Sequence, residues 1–454
     1  MYTFSSRLKT FSLILMAVGL LGIVYGFYSA PKDIQEVEAL LADDSHGSHG
    51  ESSHTAPAVA HNEHAAASSH SEKVEKAGHN VKEDAEHKEH LEHVLHQLSN
   101  KPWAAVYVAC IFFMLLSLGT LAFYGIQIAA QAGWSPILFR VMEGITAYLL
   151  PGSIIFFSLL ILVSLHFNHY PIFVWMDDAV VAKDHLLQKK AGFLNVPFFL
   201  IRAAIYLTLW NLYRYFSRRN SIKLDETFDI ALHKKNFKLS AAFLVVFIVT
   251  ESMMSWDWIM SVDPHWFSTL FGWYVFSSFF VSGITMITII TLYLKSKGYL
   301  EEVNKSHLQD LAKYMFAFSV FWAYLWFSQF MLIWYANIPE EVTYFVTRIR
   351  DYNLPFFGMM VLNFVFPILI LMNADFKRLT WIVIGAGVVI LFGHYIDFFV
   401  MIMPATVGDQ WFIGVSEISS VLFFLGIFLF VVFKALEKAP LIAKGYPLMG
   451  ESKH

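Results

Sequence analysis

Long apolar runs alternate with short polar segments over most of the chain. Ten runs, near 10–28, 103–129, 143–166, 191–216, 239–260, 268–294, 311–336, 354–373, 379–402 and 412–434, suit membrane crossing. A helix needs about 20 predominantly apolar residues to span the hydrocarbon core. The pattern therefore predicts an all-α polytopic membrane protein of about ten transmembrane helices. The first run resembles a signal peptide, but its apolar stretch is too long for a typical h-region. Tyr28-Ser29-Ala30-Pro31 is also a poor cleavage site, so residues 1–30 are expected to stay as an anchor.

Basic residues predict the orientation. With the N-terminus inside, the inner loops collect Arg7, Lys9, Arg140, the Arg214–Lys238 cluster, Lys295 to Lys313, Lys377, Arg378 and the C-terminal lysines. The loops at 261–267 and 403–411 then lie outside and hold no Lys or Arg, which is the positive-inside bias. Arg348 and Arg350 are the exception. Both termini are expected in the cytoplasm, the last 437–454 as a tail.

One segment breaks the pattern. Residues 29–101 carry fourteen acidic side chains against six lysines, and eleven of the nineteen histidines fall between His46 and His96. GSHGESSHTAPAVAHNEHAAASSHSEKVEKAGHN is poor in bulky apolar residues, which predicts a disordered outer loop within a 31–101 linker. EDAEHKEHLEHVLHQL has helical periodicity and is expected to lead into the 102–436 membrane domain as a short interfacial helix. His87, His90, His93 and His96 recur at a spacing that could share one Zn or Cu ion. A solvated acidic linker that merely tolerates them is the reading preferred, since bound metal needs a fixed ligand set.

Composition agrees with the pattern: 57% of residues are hydrophobic and only 15% charged. The single cysteine, Cys110, excludes a four-cysteine iron–sulfur site, a C-x-x-C-H haem attachment and an intrachain disulfide. No span carries the paired histidines of a membrane haem b; His166 and His169 flank one membrane edge. No metal and no redox cofactor is expected in this chain.

Charges inside spans are costly and tend to face the bundle interior. Here they are Glu143, Arg202, Glu251, Asp257, His394, Asp397 and Glu417, a ladder that could pass protons across the membrane. Arg202 and Glu251 are placed near the midplane, where they could instead form a structural pair. His394 and Asp397, three apart on one helical face, are the leading functional pair. Ser416, Ser419 and Ser420 read as a polar stripe at the depth of Glu417. In SWDWIMSVDPHWFSTLFGWY, Asp257 is assigned to an outer half-channel. Asp263 and His265 are expected to cap the following helix, and Trp256, Trp258, Trp266 and Trp273 to form an interfacial belt.

SWDWIMSVDPHWFSTLFGWYVFSSFF, the later HYIDFFVMIMP and the His-rich insertion together resemble the second polysulfide-reductase-type (NrfD-like) membrane subunit of alternative complex III, a quinol:cytochrome c oxidoreductase. The likeness runs from about Trp103 onward. It implies two four-helix bundles plus two flanking helices, in a bacterial inner membrane. It further implies partners that hold the redox centres: multihaem and monohaem cytochrome c subunits with haem c, and a periplasmic iron–sulfur protein carrying iron–sulfur clusters. A related NrfD-like membrane subunit would sit alongside, the better candidate for the quinol site. Menaquinol or another quinol would be the donor, and a c-type cytochrome or a terminal oxidase the acceptor. From the residues alone, a secondary transporter and a purely structural anchor stay open beside this reading.

Overall fold

A computed structural model describes residues 2–47, 72–165 and 171–453. Among the described residues ten helices are long and apolar enough to cross a membrane, matching the ten predicted runs. They are α1 (Ser6–Ser29), α2 (His87–Ala129), α3 (Pro136–Ser164), α4 (Val196–Thr227), α5 (Ile230–Val262), α6 (Phe271–Ser296), α7 (Lys305–Ala336), α8 (Asn353–Leu371), α9 (Thr380–Val407) and α10 (Val415–Leu436). Among the described residues there is no β-strand.

Helix contacts define two rings. α2 packs on α3, α3 on α4, α4 on α5, and α5 returns to α2. In the same way α6, α7, α8 and α9 close a second ring. α2 and α6 pack against each other and join the rings, and both are buried along most of their apolar length. α1 and α10 pair outside, giving two four-helix bundles plus two flanking helices.

The α1–α10 contact depends on small residues. A Cβ on Gly19 would stand 2.4 Å from the Phe423 backbone nitrogen, and one on Gly22 would stand 1.9 Å from Ser419 Oγ. One on Gly26 would meet Ser416 Oγ at 2.2 Å. In lipid no hydrophobic force drives helices together, so close backbone approach through glycine is what gains packing contacts. Ser416 and Ser419 thus face the glycines of α1. They are a packing surface and not the polar stripe their sequence spacing suggested.

Two expected boundaries differ. The helix containing α2 starts at Glu72 and runs unbroken through Pro102, so the interfacial helix and the second span are one element. Residues 72–80, predicted to lack structure, have helical backbone; 48–71 of the His-rich segment, with five of its eleven histidines, lie outside the described residues. So do His166 and His169. The helix Ile34–Gly47 packs on this extension, where Val37 is buried with Leu91, Val94 and Leu95. At the opposite end the last residues dock instead of trailing away. The Gly445 amide donates to Asp225 Oδ1 at 2.9 Å, and Ser452 Oγ donates to the Trp134 carbonyl at 2.8 Å.

Candidate functional site

The second ring encloses a network built on α9. His394 and Asp397 are both fully buried, with Nδ1 3.7 Å from Oδ2. Asp397 accepts from two other helices: the Tyr274 hydroxyl of α6, and Trp322 Nε1 of α7 at 2.8 Å. Ser278, one turn along α6, meets His394 Nδ1 at 2.9 Å. The indole of Trp322 stands edge-to-face on the imidazole with centroids 5.4 Å apart. These contacts set the ring's orientation and leave its buried Nε2 without a partner.

Other unused polar groups lie nearby. Pro367 has no hydrogen to offer the Asn363 carbonyl, and α8 widens into a π-turn at Val361–Val365. Asn363 is buried there, with neither side-chain oxygen nor nitrogen bonded. It lies against Gly393, where a Cβ would come within 2.1 Å of Asn363 Oδ1. Ser319 Oγ, one turn from Trp322 on α7, is also buried and unbonded. Leaving a buried polar group unmatched costs about 1–3 kcal/mol. With His394, that makes three such groups on three helices of one ring, an expensive arrangement for a purely structural core.

The first ring holds an ion pair. Arg202 Nε and an Nη donate to the two Asp257 carboxylate oxygens at 2.8 and 2.7 Å, and the Tyr206 hydroxyl adds a third bond at 3.2 Å. The mutually perpendicular rings of Phe193 and Phe198 lie 3.9 and 4.3 Å from the guanidinium carbon. Arg202 also donates to the Phe193 carbonyl. It therefore lies in the second turn of α4, close to the helix start, and not at mid-depth. Its partner is Asp257 and not Glu251. With both oxygens engaged, Asp257 is held as a counterion, which argues against the half-channel role expected of it.

The remaining carboxylates are separate. Glu143 binds Arg140 at 2.6 Å and the Tyr124 hydroxyl at 3.0 Å, at the far end of the bundle, where Arg140 also bonds Asp225 at 2.5 Å. Glu251 is buried with only Ser252 and Ser255 hydroxyls bonded to its carboxylate, and among the described residues it makes no ion pair. Glu417 caps the start of α10 through Gly414 at 2.8 Å, while its other oxygen is buried and unbonded. It lines a cavity of about 330 Å³ between α2, α9 and α10, with Phe112, Leu391, Phe392 and Tyr395 among the walls. The Tyr395 hydroxyl is buried and unbonded too. The seven candidates thus form separate groups, with His394–Asp397 and Arg202–Asp257 as the two pairs.

The Ser255–Tyr274 stretch bridges the rings: Asp257 serves the first and Tyr274 the second. Trp258 and Trp266 are buried core side chains, so the tryptophans are not a belt; Trp273 alone of the four is largely exposed. Trp266 stacks on Tyr344 at 3.9 Å. α6 has no side-chain cap. Instead His265 Nε2 pairs with Asp184 at 2.5 Å, and Lys190 Nζ donates to the Pro264 carbonyl at 2.6 Å.

Sequence reasoning missed Tyr274, Ser278, Trp322, Asn363 and Arg348. Only Arg348 left a signal, Pro404 four residues after Val400. The proline cannot donate to the Val400 carbonyl, and buried Arg348 does so at 3.1 Å, with the Met401 carbonyl at 3.2 Å. No protein-family model matches the chain, and the comparison with curated proteins finds no match.

Proposed function

We propose that this chain is a non-redox membrane subunit of a quinol:cytochrome c oxidoreductase of the alternative complex III type, carrying a proton path through its second bundle. The observation that supports it best is the buried His394–Asp397 network, in which an oriented imidazole keeps one nitrogen free, in a ring of helices that also holds unbonded Asn363 and Ser319. Imidazole can take up and release protons near neutral pH, and a held geometry favours transfer. Next along α9, Tyr395 lines the cavity with Glu417, so a quinol head reaching that cavity would stand beside the residue that follows His394 in the chain. The electrons belong to partners with haem c and iron–sulfur clusters, in a bacterial inner membrane with both termini cytoplasmic.

The test is affinity purification of the full chain from native membranes, followed by quinol oxidation and proton release. Haem-bearing partners of different mass should co-purify. His394→Gln and Asp397→Asn should assemble but lower turnover or proton release by about a hundredfold, the low end of what general acid–base groups contribute. A chain that purifies alone or as a homo-oligomer defeats the reading, and wild-type proton release in both variants defeats the path.

A transporter finds one supporting observation, the interruption of α8. Its counterpart by position in the first ring, α4, is an unbroken helix of 32 residues. Paired interruptions are what inverted-repeat transporters use to build a midplane site. The oxidoreductase reading is preferred.

A further inference from the structure

A second cleft, outside the proposed proton path, lies between α3 and α4 and has a volume of about 500 Å³. Its walls are mostly apolar, with Leu150, Ile154, Phe157 and Leu207 interspersed with Ser153, Thr208 and Asn211, and Arg214 and Tyr215 stand at the end nearest the C-terminus of α4. Ala204 to Tyr215 spans eleven residues, roughly 16 Å of helical rise, so the cleft runs along the helices like an extended acyl chain.

Arg214 is the unexplained group. It makes no hydrogen bond or ion pair among the described residues, and its Nε is shielded from solvent. The carboxylate whose field reaches it, Glu143, is already held by Arg140 and Tyr124. Arg218, one turn on, adds positive charge and spends its own donors on the Glu143 and Ala435 carbonyls. A guanidinium at the foot of an apolar cleft lacks an anion, and its planar fork suits phosphate oxygens. Inorganic phosphate would satisfy the charge and leave the apolar walls without a partner. A zwitterionic lipid would satisfy the walls and bring a competing cation to Arg214. An anionic phospholipid answers both features.

We infer that the α3–α4 cleft is a binding site for one anionic phospholipid, an acyl chain between the helices and its phosphate on Arg214. This does not depend on the proposed respiratory role, because it concerns different helices and a different readout.

The experiment uses the purified full chain exchanged into detergent, with dioleoyl phosphatidylglycerol as probe and native mass spectrometry as readout. One phosphatidylglycerol per chain should survive detergent exchange and resist displacement by dioleoyl phosphatidylcholine or inorganic phosphate. Arg214→Gln should weaken retention by about tenfold, and Arg214→Lys by less. Ala204→Phe, which fills the cleft and keeps the charge, should abolish retention. Elution and helical circular dichroism establish that each variant is folded, and Ala204→Phe serves as the independent check should Arg214→Gln not fold. Equal retention in the folded variants overturns the inference. So does ready displacement by phosphatidylcholine, which would mark an ordinary boundary lipid, or by inorganic phosphate, which would mark an anion site without a lipid.

Discussion

Tyr274 donates its hydroxyl hydrogen to Asp397 across 123 positions of sequence, tying the end of the Ser255–Tyr274 stretch to the core of the second bundle. The same stretch begins at the other bundle, where Asp257 binds Arg202. A segment that looked like one acidic and aromatic membrane edge is therefore a strap between two buried networks.

Tyr274→Phe removes one donor from Asp397 and leaves Trp322 in place. The expected cost is about 1.5–3 kcal/mol, as for a hydrogen bond to a charged group, read as a lower thermal unfolding temperature. An unchanged melting profile would show that the contact contributes nothing.

Asp257 separates a structural role from a proton-carrying one. Asp257→Ala leaves Arg202 buried without its counterion and should destabilise by about 3–5 kcal/mol. The double variant Arg202→Met, Asp257→Leu should recover much of that loss. If Asp257→Asn instead unfolds like wild type yet turns over more slowly, Asp257 belongs to the proton path after all.

The Arg348–Pro404 relationship is tested by a double-mutant cycle. Arg348→Met leaves the Val400 carbonyl unpaired and should cost about 1–3 kcal/mol. Pro404→Ala restores a helical N–H for that carbonyl, so the same arginine change should cost less in its presence. Additive effects within about 0.5 kcal/mol would mean that the two sites are independent.

The Asp184–His265 contact predicts a pH dependence. The hydrogen bond from His265, then the Leu187 amide, hold the partly exposed Asp184 carboxyl below its ordinary range. A depressed folded-state value means that the unfolded chain binds the proton more tightly. The contribution to stability is therefore full above the ordinary carboxylate range and is lost as pH falls through the lowered folded value. Wild type should be more stable than Asp184→Asn near neutrality, with the gap closing in acid; a gap that is constant with pH contradicts this.

The glycine face of α1 gives the last test. Gly22→Leu should separate α1 from α10, since even a Cβ would lie 1.9 Å from Ser419 Oγ. Disulfide cross-linking between cysteines introduced at the ends of the two helices should drop sharply, while a change at the exposed Leu21 should not affect it.

The sequence by itself determined the ten spans and the adjacency of His394 and Asp397. Both are local properties: an apolar run of bilayer length needs no partner to be recognised, and residues three apart share a helical face wherever the helix sits. It also carried, in one proline, the need for a donor at Val400. Tertiary structure alone decided which charge met which. Arg202 reaches Asp257 and not Glu251 because α4 starts beside the end of α5, a register that depends on where Asn195 caps the helix. It also turned the serines of α10 onto glycines and brought Tyr274, Trp322 and Asn363 around His394. Such pairings depend on the order of helices around each ring and on their relative depth. Hydropathy carries neither, because lipid-facing and ring-facing positions of a span can be equally apolar.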